Sequence, residues 1–106
     1  MLVGALVRRT QEAGGFATVI RSGDPISGIL IIDCLEKGQE LGLFERMPDY
    51  ESGGYRLVPC GPKPGAEPQE RAAYLDRRMR TDPDLWIVEL DIVGAERFAA
   101  ETIGAG

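Results

Sequence analysis

Histidine is missing from this chain of 106 residues. Its absence removes the commonest general base near neutral pH and the commonest neutral metal ligand, so any chemistry has to run on carboxylates, Tyr, Lys or Cys. Serine catalysis of the usual kind goes with it, because Ser22, Ser27 and Ser52 have no imidazole to take their proton. Cysteine is scarce. Cys34 and Cys60 are too few and too far apart for a zinc site of the usual pattern, and Cys34, inside an apolar run, reads as a small buried hydrophobe. A thiol-reducing, cytoplasmic setting is the expectation. Apolar runs long enough to span a bilayer are also lacking, so no membrane partner is expected. Residues Met1 to Val7 are apolar, but Arg8 and Arg9 follow them, the wrong order for a secretory signal. Basic charge is in deficit, with 12 Lys and Arg against 17 acids and a net charge of -5. A protein that binds nucleic acid gains affinity by neutralising phosphates, so this balance argues against such a partner. The bases are mostly Arg, which suits phosphate or carboxylate recognition but is more simply a compositional bias of the genome.

What is present is organised around residues 82–94, Asp-Pro-Asp-Leu-Trp-Ile-Val-Glu-Leu-Asp-Ile-Val-Gly, which hold the single tryptophan. A strand here points Trp86, Val88, Leu90 and Ile92 to one side, wholly apolar and therefore core-facing. Leu85, Ile87, Glu89 and Asp91 point to the other, so the strand runs from under cover towards solvent. A lone Trp among aliphatic neighbours is expected in the core.

The remainder reads in order as follows. Leu2 to Ala13 forms a helix with Leu2, Ala5, Leu6 and Ala13 on one face, Val3 and Val7 widening it, and Gly14-Gly15 ending it. Phe16 to Arg21 is a strand by its aromatic and β-branched content, closed by a turn through Ser22 to Pro25. Gly28 to Leu35 is the most continuous apolar run, the signature of a central strand covered on both faces. A hairpin turn at Glu36 to Gln39 leads to its partner strand, Glu40 to Arg46. Met47 to Gly54 reads as a loop, Tyr55 to Val58 as a short strand, and Pro59 to Gly65 as a stiff connector. A helix over residues 66–80 opens on Glu67-Pro68, with Pro68, Ala72, Leu75 and Met79 sharing a face. After the Trp86 strand, Ala95 to Ile103 forms a short helix, and residues 104–106 are a loose tail. The sum is a single α+β domain over residues 1–106. It has a largely antiparallel sheet of about four or five strands, with the N-terminal helix and the helix before the last strand packed on it. The edge that the Trp86 strand joins is left open.

With those elements placed, the chain resembles the uncharacterised alphaproteobacterial family of small proteins known as domain of unknown function 1491. The residues that carry the likeness are Ala5-Leu6-Val7-Arg8-Arg9 in the first helix, Gly23-Asp24-Pro25 after the first strand, and residues 82–89, Asp-Pro-Asp-Leu-Trp-Ile-Val-Glu. The last string is the most specific. The resemblance implies a compact α/β-type domain of a cytoplasmic protein, and it carries no activity with it.

Two groups of side chains are candidates for function. Asp82, Asp84, Glu89 and Asp91 form the densest acidic group and suit Mg²⁺ binding or an acid/base pair. The structural alternative, in which Asp82 and Asp84 accept backbone N–H bonds as the chain turns, is the stronger. Arg71, Arg77, Arg78 and Arg80 suit a phosphate or an acidic partner, against a solvated helix end with Asp76 and Arg80 paired at four-residue spacing. Gly23-Asp24-Pro25 and Gly53-Gly54 offer amides to an anion, but neither forms a phosphate loop or dinucleotide fingerprint. Tyr50 and Tyr55 flank the expected loop and are candidates for ligand contact. No cofactor is expected. The sequence favours a non-enzymatic interaction module, docking a second copy or another protein along a sheet edge. Its rival is a carboxylate-based, divalent-metal-dependent enzyme or small-ligand binder.

Overall fold

The computed structural model describes residues 2–26 and 28–104. Ser27, and Ala105 and Gly106 of the expected tail, lie outside the described residues. The elements are α1 (Leu2–Glu12), β1 (Phe16–Arg21), β2 (Leu30–Glu36), β3 (Gln39–Asp49), β4 (Gly54–Cys60), α2 (Pro68–Thr81), β5 (Trp86–Asp91) and α3 (Ala95–Ala99). A π-helical turn, Ala100–Gly104, continues from α3. The strands form one mixed sheet in the order β1-β5-β2-β3-β4.

β5 joins neither edge; it is inserted between β1 and β2. It pairs antiparallel with β1 and parallel with β2, Leu30 lying opposite Trp86 and Leu35 opposite Asp91. The parallel pair follows from the crossover, since α2 carries the chain back across one face before β5 begins. The other joins are antiparallel, including the tight turn through Lys37 (φ 52) and Gly38 (φ 80) between β2 and β3. Positive φ at both central residues matches the right-handed twist of the flanking strands.

The apolar run of β2 is covered on both faces. On one, Leu30, Ile32 and Cys34 pack with Phe44, Val88, Leu90, Val3 and Leu6 of α1, and Ala95, Ala99 and Ile103. On the other, Ile31 packs with Leu43, Leu85 and Ile87 beneath Tyr74, Leu75 and Met79 of α2. The side of β5 expected to run from cover to solvent does so, with Leu85 and Ile87 buried and Glu89 and Asp91 half-buried.

Four local expectations need correction. The loop placed at Met47 to Gly54 shrinks to residues 50–53, because β3 continues to Asp49 and pairs with Gly54. Its pairing with β2 stops at Glu45, so Pro48 sits where β3 has a partner on one side only. Pro59 and Cys60, assigned to the connector, belong to β4, an edge strand where proline is tolerated. The buried stripe of α1 is Val3, Leu6 and Thr10, with Thr10 Oγ1 donating to the Leu6 carbonyl at 2.7 Å. In α2, Ala72 is exposed and no residue is fully buried.

A two-sided core makes a simple prediction. Ile32→Ala and Ile87→Ala, on opposite faces, should each lower unfolding free energy by about 2–5 kcal/mol in urea denaturation. A cost confined to one of them would mean that the sheet has only one core face.

Candidate functional site

The start of β5 and the residues just before it are held by the loop after β1. The Asp24 N–H donates to the Asp84 carbonyl at 3.1 Å, and the Trp86 N–H donates to the Ile29 carbonyl at 2.7 Å. The Trp86 indole Nε1–H donates to the Asp24 carbonyl at 2.7 Å. Asp24 Oδ1 accepts the Ile26 N–H at 2.7 Å, a local turn typical of Asp, and Arg21 Nη2 donates to the Pro83 carbonyl at 3.1 Å. Glycine is required for this approach. A Cβ on Gly23 or Gly28 would overlap the Asp84 carbonyl, and one on Gly28 would also lie 2.7 Å from Trp86 Cδ1. Gly23-Asp24-Pro25 and the Asp-Pro-Asp-Leu-Trp string are thus two sides of one contact. Trp86 packs on the first core cluster but is only half-buried, less enclosed than its neighbours imply.

The four acids are placed in separate environments. Asp82 ends α2, its Oδ2 accepting Arg78 Nε at 3.2 Å and its carbonyl accepting the Leu85 N–H at 3.1 Å. The Asp84 side chain is exposed while its carbonyl holds Asp24. Glu89 lies between Thr18 and Asp33 in the ladder. The Asp91 carboxylate accepts the Lys37 N–H at 2.7 Å and the Gly38 N–H at 2.8 Å, gripping the β2–β3 turn. Among the described residues no three His, Cys, Asp or Glu come together as a metal-ligand group.

The arginines of α2 divide by direction. Arg71 reaches down to Asp33, and its Nε lies 2.7 Å from Glu40 Oε1. Arg78 Nη1 donates to Glu45 Oε1 at 2.9 Å and to the Tyr74 hydroxyl at 2.7 Å. Both face the sheet, one on each side of Tyr74 and Leu75, and supply what the helix lacks in apolar contact. Arg80 pairs with Asp76 at 2.9 Å in solvent, the anticipated four-residue pair. Arg77 is exposed, 5.6 Å from the Tyr74 ring centroid. Sequence reasoning missed Asp33, a carboxylate only 5% exposed inside the apolar run of β2. The signal was a lone acid in a strand read as buried on both faces. Burial pushes its pKa up, and the hydrogen bond and charge of Arg71 oppose that shift. Glu45 chiefly strengthens Arg78's hold on its proton. Burial raises the Cys60 thiol and the Tyr74 phenol, and pushes Cys34 up to about 12.

The two sheet edges differ in chemistry. β4 carries Pro59 and the exposed Arg56, both of which discourage further strand pairing. β1 has no charge from Phe16 to Ile20, and Phe16 (75%), Val19 (40%) and Ile20 (53%) are exposed. Above β1 lies an open groove of about 450 Å³ lined by Val3, Gly4, Val7, Arg8, Gln11, Val19 and Trp86. Tyr50 is 91% exposed at the β3–β4 turn, and Tyr55 stacks under the Arg46 guanidinium at 3.5 Å. No helix among the described residues is long and apolar enough to cross a membrane.

Comparison with known proteins follows the same lines. The family model described as "Protein of unknown function (DUF1491)" matches residues 1–100. A DUF1491 family protein from Caulobacter crescentus CB15, solved by NMR, is 32% identical, with TM-score 0.70, over 90% of this chain and 86% of its own. A crystal structure of a DUF1491 family protein from the same strain gives 27% identity and TM-score 0.76 over 95% and 92%. A solution structure from A. tumefaciens gives 32% and 0.64 over 86% and 81%. Among curated proteins none matches.

Two measurements check this geometry. Gly23→Ala and Gly28→Ala should each cost about 1–3 kcal/mol of stability by overpacking. Gly4→Ala, where an added Cβ meets nothing within 4 Å, should be neutral or stabilising by up to about 1 kcal/mol. The Asp33 carboxyl binds its proton more tightly folded than unfolded, so its ionised form costs stability at neutral pH. That cost is withdrawn as pH falls through the raised folded value towards the ordinary 3.8. Compared with Asp33→Asn, the wild type should therefore gain relative stability between neutrality and about pH 4 in urea midpoints. A pH-independent difference would contradict the assignment.

Proposed function

The chain belongs to the DUF1491 family, and on that premise we propose that it is a small, non-enzymatic, cytoplasmic interaction module that self-associates along β1. The observation that carries this reading is the open edge of Phe16 to Ile20, uncharged and apolar while the opposite edge is blunted by Pro59 and Arg56. An edge strand offers a row of backbone donors and acceptors, and an antiparallel copy of itself satisfies them symmetrically. Exposed Phe16 and Ile20 add apolar area beside that ladder. The two cysteines are unpaired, which fits a reducing compartment. The candidate arginines support an anion-binding role less well, since Arg71 and Arg78 are engaged with acids of the sheet. The carboxylate enzyme reading draws support from the density of Asp82, Asp84, Glu89 and Asp91 in the sequence. Asp82 and Asp91 already have protein partners, however.

The test is sedimentation equilibrium of the wild type and of Thr18→Lys/Ile20→Lys, which puts two charges on the exposed edge. The wild type should show a reversible dimer and the variant a monomer with unchanged circular dichroism. A wild-type monomer at the highest attainable concentration overturns the proposal. Melting curves with Mg²⁺, Mn²⁺ and Ca²⁺ are the control for the rival, which requires a rise.

A further inference from the structure

The groove over Trp86 has features that an edge-pairing role does not use. Its floor and walls are Val3, Val7, Val19 and Trp86, all aliphatic or aromatic. The indole N–H is already satisfied by the Asp24 carbonyl, so the ring has no polar hydrogen left to offer the groove. Among the described residues the polar side chains of the lining are Arg8 and Gln11 of α1, both exposed. Among the described residues no acid lines the groove, although the chain as a whole carries a net charge of -5. Among the described residues Arg8 has no ion-pair partner, whereas Arg71, Arg78 and Arg80 are all paired. A guanidinium fork beside an amide suits a carboxylate, which accepts two parallel N–H bonds. The volume of about 450 Å³ lies in the range of small-molecule sites. Gly4 is the third element. It stands between Val3 and Arg8 with nothing within 4 Å of an added Cβ, so the absence of its side chain keeps the groove open.

We infer that this groove binds a free amphiphilic carboxylate, with its apolar chain against Val3, Val7, Val19 and Trp86 and its head on Arg8 and Gln11. The pairing of one unpartnered cation with an otherwise apolar trough is the complement of such a molecule. A neutral amphiphile leaves Arg8 unused, and a cationic one meets it with like charge.

Trp86 is the single tryptophan and reports directly on occupancy. The wild type is titrated with decanoate below its micelle concentration, following indole fluorescence, with decanol and decyltrimethylammonium as parallel probes. Decanoate should produce a saturable change, with decanol at least about tenfold weaker and the cationic amphiphile weaker still. Arg8→Glu, on an exposed position, should lose most decanoate affinity while keeping its circular dichroism. Gly4→Leu should fill the groove and weaken decanoate and decanol alike. No saturable change with decanoate, equal binding of decanol, or an unaltered Arg8→Glu titration overturns the inference. The inference is independent of self-association: the Thr18→Lys/Ile20→Lys variant should bind decanoate as the wild type does, so either proposal can fail alone.

Discussion

The fold turns on one contact made by residues 62 positions apart, the Trp86 indole N–H on the Asp24 carbonyl. Asp24 in turn donates its N–H to Asp84, so the loop after β1 and the segment before β5 are laced in both directions. A half-buried carbonyl and a half-buried N–H that satisfy each other offset the desolvation of both groups at once. The contact also has a steric condition, because the loop backbone comes so near Asp84 that Gly23 and Gly28 leave no room for a side chain. From this follows the sheet order. Holding the loop across the start of β5 places that strand between β1 and β2, gives it a partner on each side, and leaves β1 as an outer strand.

A second constraint acts on α2. It has no fully buried residue, and three half-buried side chains, Tyr74, Leu75 and Met79, form its apolar contact with the sheet. Arg71 and Arg78 complete the attachment by reaching Asp33, Glu40 and Glu45. Partly buried pairs of this kind lose water and gain Coulomb attraction in nearly equal measure, so they fix position more surely than they add stability. They also explain why a helix rich in arginine presents little free positive charge. What it leaves to solvent is Arg77 and the Arg80–Asp76 pair.

Much of this was legible in the residues. The nearly continuous apolar run of β2 announced a strand covered on both sides, and the alternation in β5 announced one face in the core and one emerging towards solvent. Other features were hidden for physical reasons. Pro48 and Pro59 read as breakers because proline forbids ladder bonds, yet each sits where a strand lacks a second partner. The insertion of β5 depends on a backbone approach that no side-chain periodicity records. The inward turn of Arg71 depends on Asp33, a charge concealed within a hydrophobic string. The candidate acids were visible as a cluster in sequence but not as separate partners. Which partner each takes depends on strand register and on the β2–β3 turn. The groove was hidden as well, since its walls come from α1, β1 and β5.

Edge chemistry connects this architecture to a role. One outer strand carries proline and arginine; the other carries an uncharged apolar face and an open row of amides. The most direct measurement is residue-resolved amide hydrogen exchange at increasing protein concentration. The account predicts that amides of β1 gain protection as concentration rises, while those of β4 do not change. Equal exchange of β1 amides at every concentration would contradict it.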